Sequence, residues 1–253
     1  MRGWRGISLL AATLAGLWVA SAVAQPRPAQ PGGISGIWTN TSYDPDSVYD
    51  PRKGVLRTLD GKLPPLQPWA AALLETRIKA AEAGHPFANT KSMCLTSGMP
   101  QLMFGPRTPM QILETPGQVT ILIEEFNNFR IVLLDAKHPA DPDPTLMGDS
   151  VGHREGDTLV VDTVGLSERT VLDVPGMPHS DQLHLVERFR RVSKDQLEVV
   201  MRIEDPKTFT APWMARATFK PMPVEKITEY YCENQRNGAV DGRTTMQMPG
   251  PPK

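Results

Sequence analysis

The sequence has few aromatic residues, only two cysteines and almost no excess of charge of either sign. Aromatic side chains make up 6% of the 253 residues, and 27 Lys and Arg face 28 Asp and Glu, a formal net charge of −1. This balance argues against nucleic acid or an anionic membrane surface as a partner, because both attract clustered positive charge. Motifs typical of phosphate loops, attached haem or G-x-S-x-G hydrolases are absent from the chain.

Long hydrophobic runs are also missing, apart from residues 7–20, which are too few to span a bilayer. This run follows Arg2 and Arg5 and precedes Ala22-Val23-Ala24. The order is typical of a cleaved secretory signal peptide, and an uncleaved anchor is the less favoured alternative. We expect residues 1–24 to be removed, leaving a soluble periplasmic or secreted protein that is not inserted in a membrane. Without the two Arg of the signal, 25 basic and 28 acidic residues give −3.

The mature chain is expected to form one domain with a flexible segment at each end. Residues 25–34 are rich in Pro and Gly and predict a flexible leader, and residues 234–253 form a polar, proline-ended tail. Residues 35–233 are long enough for one domain with a substantial core. The 25 prolines of the chain predict short elements and many turns.

The two cysteines predict one disulfide. Cys94 and Cys232 are even in number and would meet an oxidising compartment after export. A metal–thiolate site or a catalytic thiol is the alternative, but the neighbouring residues that either would need are not evident.

The residue pattern predicts a mainly β fold with one covering helix. Pro68 is suited to a first helical position and Gly84 to a stop, so residues 68–83 predict a helix. From residue 110 onward the apolar period changes to two, with turn residues between the runs. The alternation assigns two sets of side chains to one face of their strand each: Leu197, Val199, Met201 and Ile203, and Trp213, Ala215, Ala217 and Phe219. It also makes Ile131 and Leu133 candidate core residues. About ten strands follow: 37–39, 110–114, 119–124, 129–134, 150–153, 158–163, 182–191, 196–204, 213–220 and 226–232. An antiparallel meander of this length is expected to close into a barrel, with a two-sheet sandwich as the alternative.

Two stretches carry a resemblance to known families. Gly36-Ile37-Trp38 resembles the G-x-W that opens the first strand of lipocalins and other calycin-type barrels. Residues 155–163 and 186–191 resemble a group of uncharacterised exported bacterial proteins, which implies no activity. The predicted helix departs from the lipocalin order, since it precedes the meander. The calycin likeness implies a small-molecule site in the barrel mouth, and Trp38, Arg130, Asp149 and Arg188 are the candidate ligand-binding residues.

The histidines give the candidate chemistry. Four of the five lie between residues 138 and 184, close in sequence to acids. A carboxylate that holds an imidazole fixes its tautomer, as general acid–base catalysis requires. The candidate catalytic residues are His138, Asp141, His179, Asp181 and His184, all of which could equally have structural roles. Metal binding by the last three is disfavoured, because Asp181 and His184 have opposite strand parity.

Two functions remain open at this point. The favoured hypothesis is a binding protein for a small, apolar or aromatic molecule that needs no cofactor or metal. The alternative is a cofactor-independent lyase, isomerase or hydrolase that uses a His–carboxylate pair in the barrel mouth.

Overall fold

Alternating apolar residues build nine β-strands, which close into a barrel in sequence order in the computed structural model. The strands are β1 (Gly36–Asn40), β2 (Met110–Thr115), β3 (Gln118–Ile123), β4 (Asn128–Leu134), β5 (Asp149–Glu155), β6 (Thr158–Val164), β7 (His184–Ser193), β8 (Gln196–Glu204) and β9 (Trp213–Pro221). Two α-helices, α1 (Pro68–Glu82) and α2 (Gln101–Phe104), lie between β1 and β2. The predicted β-barrel with one long helix is confirmed.

The structure describes residues 33–105, 109–230 and Cys232. The predicted signal peptide (residues 1–24), nearly all of the leader (25–34) and the tail (234–253) lie outside these residues. Within them, no helix combines the length and the apolar character needed to cross a membrane.

The strand order contains one parallel pair, where the sequence predicted an antiparallel meander throughout. Eight of the nine neighbouring pairs are antiparallel, including the closing pair of β1 with β9, and only β4 and β5 are parallel. A closed ring of nine strands cannot alternate in direction all the way round, so at least one pair must be parallel. Residues 135–148 form the return connection that this pair requires, and they run back outside the barrel.

The predicted tenth strand, residues 226–232, is wrong. Residues 226–230 form no strand, because the barrel is already closed by the pairing of β1 with β9. The segment crosses the β3–β4 turn instead. Thr228 N–H donates to Glu124 Oε2 and Asn127 Nδ2 donates to the Tyr230 carbonyl, both at 3.0 Å. The predicted disulfide between Cys94 and Cys232 is present just beyond this contact.

Alternate side chains of the strands point into the barrel and fill its interior. On β8 the buried side chains are the predicted set, Leu197, Val199, Met201 and Ile203, and on β9 they are Trp213, Ala215, Ala217 and Phe219. On β4 the predicted core residues Ile131 and Leu133 are instead exposed, by 42% and 47%. Arg130 and Val132 are buried in their place, since a strand places alternate residues on opposite faces.

The long connections gather at one end of the barrel, which we call the loop end. Residues 41–109, 165–183 and 205–212 link strands there, whereas tight turns link strands at the opposite end. Helix α1 buries Ala70, Leu74 and Ile78. It is fixed to the connection after β8, because Trp69 Nε1 donates to the Lys207 carbonyl at 3.0 Å.

Candidate functional site

A cavity of about 340 Å³ opens at the loop end of the barrel. Its walls come from the segment after β1, from α2, from the connection after β6 and from β9. The apolar lining residues are Val55, Leu56, Leu59, Phe104 and Val174, and the polar ones include Tyr43, Asp44, Lys53, Arg57, Gln101, Asp173 and Arg216. Its volume is at the lower end of the range for small-molecule sites.

Asn40 fixes the two walls of this cavity to each other. Its amide nitrogen donates to the carbonyls of Met103 and Gly105 beside α2, at 3.1 and 3.2 Å. Its amide oxygen accepts the backbone N–H of Ser42 and Tyr43. Asn40 is only 2% exposed, so these bonds are shielded from water and hold the chain turn that forms the cavity.

Asp173 is a buried carboxyl on the cavity wall. It accepts backbone N–H groups from Leu56, Gly176 and Met177 at 2.8–3.0 Å, which joins the segment after β1 to the connection after β6. Burial raises the pKa of Asp173 to about 6, against the lowering effect of the three N–H donors. A carboxyl in a cleft that titrates near neutrality is a candidate functional group.

Gln101 and Arg57 supply the other polar features of the cavity. Gln101 is 2% exposed, and its Oε1 has no hydrogen-bond partner among the described residues. Arg57, in contrast to Gln101, is exposed to solvent. The other two lining cations are paired with acids, Lys53 with Asp46 at 2.8 Å and Arg216 with Glu198 at 3.3 Å. The cavity therefore combines a buried acceptor, an apolar wall and an exposed cation.

A chain of histidines and carboxylates lies on the outer face of β5, β6 and β7. His138 Nδ1 lies 2.5 Å from Asp149 Oδ1, and His138 Nε2 lies 3.0 Å from Asp162 Oδ1. The same Asp162 oxygen lies 2.9 Å from His184 Nε2. Asp149 begins β5, Asp162 is near the end of β6 and His184 begins β7, so the chain lies at the loop-end rim.

The parallel strand pair brings His138 into this chain. Residues 135–148 return along the outer face of β5 and β6, and Pro142 packs against Gly165. A Cβ added to Gly165 would lie 3.1 Å from the Cβ of Pro142. Both ring nitrogens of His138 face carboxylate oxygens, which only accept. A protonated imidazole satisfies both carboxylates and a neutral one satisfies one, so the ring can exchange a proton while it stays anchored.

His179 and Asp181 have separate environments. His179 is 5% exposed; its Nδ1 donates to the Ser180 carbonyl at 2.9 Å, and its Nε2 lies 2.7 Å from Thr170 Oγ1. Burial lowers the pKa of His179 and so favours the neutral ring. Asp181 pairs at the surface with Lys207 at 2.6 Å, which lowers the pKa of the aspartate. The structure thus distributes His179, Asp181 and His184 among three different sets of partners.

The remaining predicted site residues are dispersed. Asp141 is exposed in the connection that carries His138. Arg188 pairs with Glu155 on the outer face at 2.7 Å. Trp38 is buried in the core, and its indole N–H donates to the Ile34 carbonyl at 2.9 Å. None of these three lines the cavity at the loop end.

Arg130 forms a buried ion pair inside the barrel. Its Nη2 contacts Glu187 Oε2 and lies 2.6 Å from Thr163 Oγ1, and its Nε donates to Ser150 Oγ at 3.0 Å. Both charged side chains are almost fully buried. Arg130 Nη1 and Glu187 Oε1 have no hydrogen-bond partner among the described residues, so the pair is incompletely satisfied.

Several residues of these sites were missed by sequence reasoning. Asp162 shares the outward parity of Asp149, which β5–β6 pairing could have indicated. Glu187 was not among the predicted site residues, although its parity with Leu185 and Phe189 points it inward. Asp173 lies in an irregular connection and Gln101 begins the four-residue helix α2, so no periodicity in the sequence marks either residue.

Within the described ranges, no three His, Cys, Asp or Glu side chains form a group that could hold a metal ion.

No family model matches the sequence, and no match was found among curated proteins.

Proposed function

We propose that this is an exported protein that binds a small, largely apolar or aromatic molecule in the cavity at the loop end. The observation that carries the proposal is the cavity itself, which has an apolar wall and is lined by Gln101, whose buried acceptor has no partner among the described residues. Small-molecule sites typically combine an apolar lining with a few fixed polar groups in this way. The cavity is at a barrel mouth, where the calycin resemblance also suggests a ligand.

The disulfide supports the export part of the proposal. Bonds between cysteines persist in the periplasm and outside the cell and are rare in the reducing cytosol. The Cys94–Cys232 bond therefore agrees with the signal-peptide interpretation of residues 1–24.

The binding proposal can be tested by filling the rim of the cavity. Leu59 lines the cavity and is 48% exposed, so Leu59→Trp adds bulk there with little risk to the core. Leu63→Trp is the matched control, because Leu63 is 57% exposed and does not line the cavity. A mixture of small aromatic and aliphatic compounds is screened by saturation-transfer NMR. We expect signals that Leu59→Trp removes and Leu63→Trp keeps; signals indifferent to Leu59→Trp would refute binding in this cavity.

A second candidate function is proton-transfer catalysis at the rim. It is favoured by the convergence of His138 on Asp149 and Asp162, because carboxylates that orient an imidazole prepare it to move a proton. The probe is 5-nitrobenzisoxazole, whose ring opens when a base removes one C–H proton. Catalysis should fall in His138→Gln and persist in His153→Gln, since His153 is an exposed β5 histidine paired with Glu155. Equal rates in both variants would remove this candidate.

A further inference from the structure

We infer that the molecule bound in the cavity is a small monocarboxylic acid with a hydrogen-bond donor at its far end, an inference that rests on the proposed binding function. The first argument concerns the exposed cation. Lys53 and Arg216, the other cationic lining residues, are already paired with acids. Arg57 is the lining cation for which the described residues supply no ion-pair partner. Its planar guanidinium matches a carboxylate through two parallel hydrogen bonds.

The second argument concerns the buried acceptor. Gln101 Oε1 is buried without a partner among the described residues, and an unsatisfied buried polar atom is costly. Gln101 lines the cavity, so a turn of its amide toward the cavity would let a ligand hydroxyl or amine donate to this oxygen and remove that cost. Because Gln101 is buried and Arg57 is exposed, we assign the donor group to the inner end of the ligand and the carboxylate to its outer end.

The third argument concerns the charge and the body of the ligand. Asp44 and Asp173 also line the cavity, and their carboxylates would repel a second negative charge on the ligand. This disfavours a phosphate or a dicarboxylate. Between the two polar ends, Val55, Leu56 and Phe104 offer an apolar wall, which suits an aromatic or branched aliphatic body.

The test compares four probes that share one aromatic body. They are 4-hydroxyphenylacetate, phenylacetate, 4-ethylphenol and tyramine, and calorimetry on the mature protein gives the Kd of each. We expect 4-hydroxyphenylacetate to bind most tightly, with phenylacetate and 4-ethylphenol each about tenfold weaker and tyramine weakest. A tenfold change corresponds to about 1.4 kcal/mol.

Two variants assign these differences to residues. Arg57→Gln should remove the advantage of the carboxylate and leave 4-ethylphenol binding unchanged, whereas Lys194→Gln, at the opposite end of the barrel, should change neither. Gln101→Met should remove the advantage of the hydroxyl, and its folding is checked by thermal melting. If Gln101→Met fails to fold, the surface variant Arg57→Gln still decides the carboxylate assignment.

The outcomes separate the ligand class from the binding function. Tight binding of 4-ethylphenol or tyramine that Leu59→Trp abolishes, together with weak binding of both acids, would overturn the carboxylate inference and retain the cavity as a binding site. Binding of no probe, with no compound of the NMR screen sensitive to Leu59→Trp, would overturn both.

Discussion

Nδ1 of His138 lies 2.5 Å from Oδ1 of Asp149, the first residue of the strand into which the His138 connection leads. This contact and the one to Asp162 hold residues 135–148 against the outer face of the sheet. The connection is otherwise rich in exposed residues, including Lys137. The histidine therefore anchors the middle of the connection, whose two ends are also held by backbone hydrogen bonds, from Asp135 N–H to the Gly152 carbonyl and from Thr145 N–H to the Gly165 carbonyl.

Removing this contact should expose the connection to proteolysis. Asp149→Asn replaces an acceptor-only carboxylate by an amide, which weakens the bond to His138. Because cleavage tracks the free energy of local opening, we expect trypsin to cut after Lys137 about five- to tenfold faster. Asp181→Asn, which alters an exposed ion pair elsewhere, is the control. Equal cleavage rates in the two variants would show that the contact contributes nothing to the order of this segment.

The Arg130–Glu187 pair should be far more sensitive than exposed pairs. Arg130→Met or Glu187→Met leaves a buried charge without its counter-charge, which typically costs about 3–5 kcal/mol of unfolding free energy. The double change Arg130→Met/Glu187→Met should cost less than the two single changes together. Urea unfolding measures all three, and Arg188→Met on the outer face should lie close to wild type. Additive single and double changes would contradict a direct coupling.

Asp173 predicts a pH-dependent stability difference. Its folded pKa of about 6 lies above the ordinary 3.8, so the folded state binds the proton more tightly than the unfolded state does. Protonation of Asp173 stabilises the fold fully below about pH 4, and this stabilisation is lost as the pH rises to about 6. Relative to Asp173→Asn, wild type should therefore lose about 3 kcal/mol across this window and then stay level. Chemical unfolding at several pH values measures the difference; a flat profile would contradict the buried carboxyl.

For His179 we expect stability to fall as the pH falls, which is the opposite of the trend expected for Asp173. Burial lowers its folded pKa below the ordinary 6.5, so the unfolded state binds the proton more tightly. Wild type should lose stability relative to His179→Gln as the pH falls below 6.5, because Gln does not titrate. His179→Ala should melt several degrees lower at all pH values, since it removes a buried imidazole together with its hydrogen bonds to the Ser180 carbonyl and Thr170 Oγ1. Asp181→Ala should melt as wild type does, because Asp181 is exposed.

The disulfide should contribute strongly to stability. It joins residues 138 positions apart, for which the chain-entropy model gives about 5 kcal/mol. Cys94→Ala/Cys232→Ala should unfold at correspondingly lower urea, and reduced wild type should match it. Thiol titration of the denatured, unreduced protein should find no free thiol; two reactive thiols would contradict the bond.

The strands were predictable because parity is a local property. Alternate positions of β8 carry Leu197, Val199, Met201 and Ile203, and all four side chains are buried as the pattern predicts. The same rule misassigned Ile131 and Leu133, since it identifies two faces and does not say which is inside. Arg130 is inside because Glu187, far along the chain, supplies its counter-charge.

The candidate sites were less predictable because they join distant segments. The pairing of His138 with Asp162 depends on the parallel return of residues 135–148, which follows from the number of strands rather than from any local motif. Proximity in sequence suggested a group of His179, Asp181 and His184 that the fold distributes over a buried connection, an exposed ion pair and a strand. Only His138, Asp149 and His184 of the predicted site residues meet in one chain of contacts.

The Cys94–Cys232 bond closes a covalent ring around β2 to β9 and leaves β1 outside it. A mechanical load applied between the two ends of the chain would bypass the ring through the sulfur atoms. The load would fall first on β1, whose pairing with β2 and β9 is short. The protein would then extend by the length of the chain before Cys94, while the eight enclosed strands carry no tension.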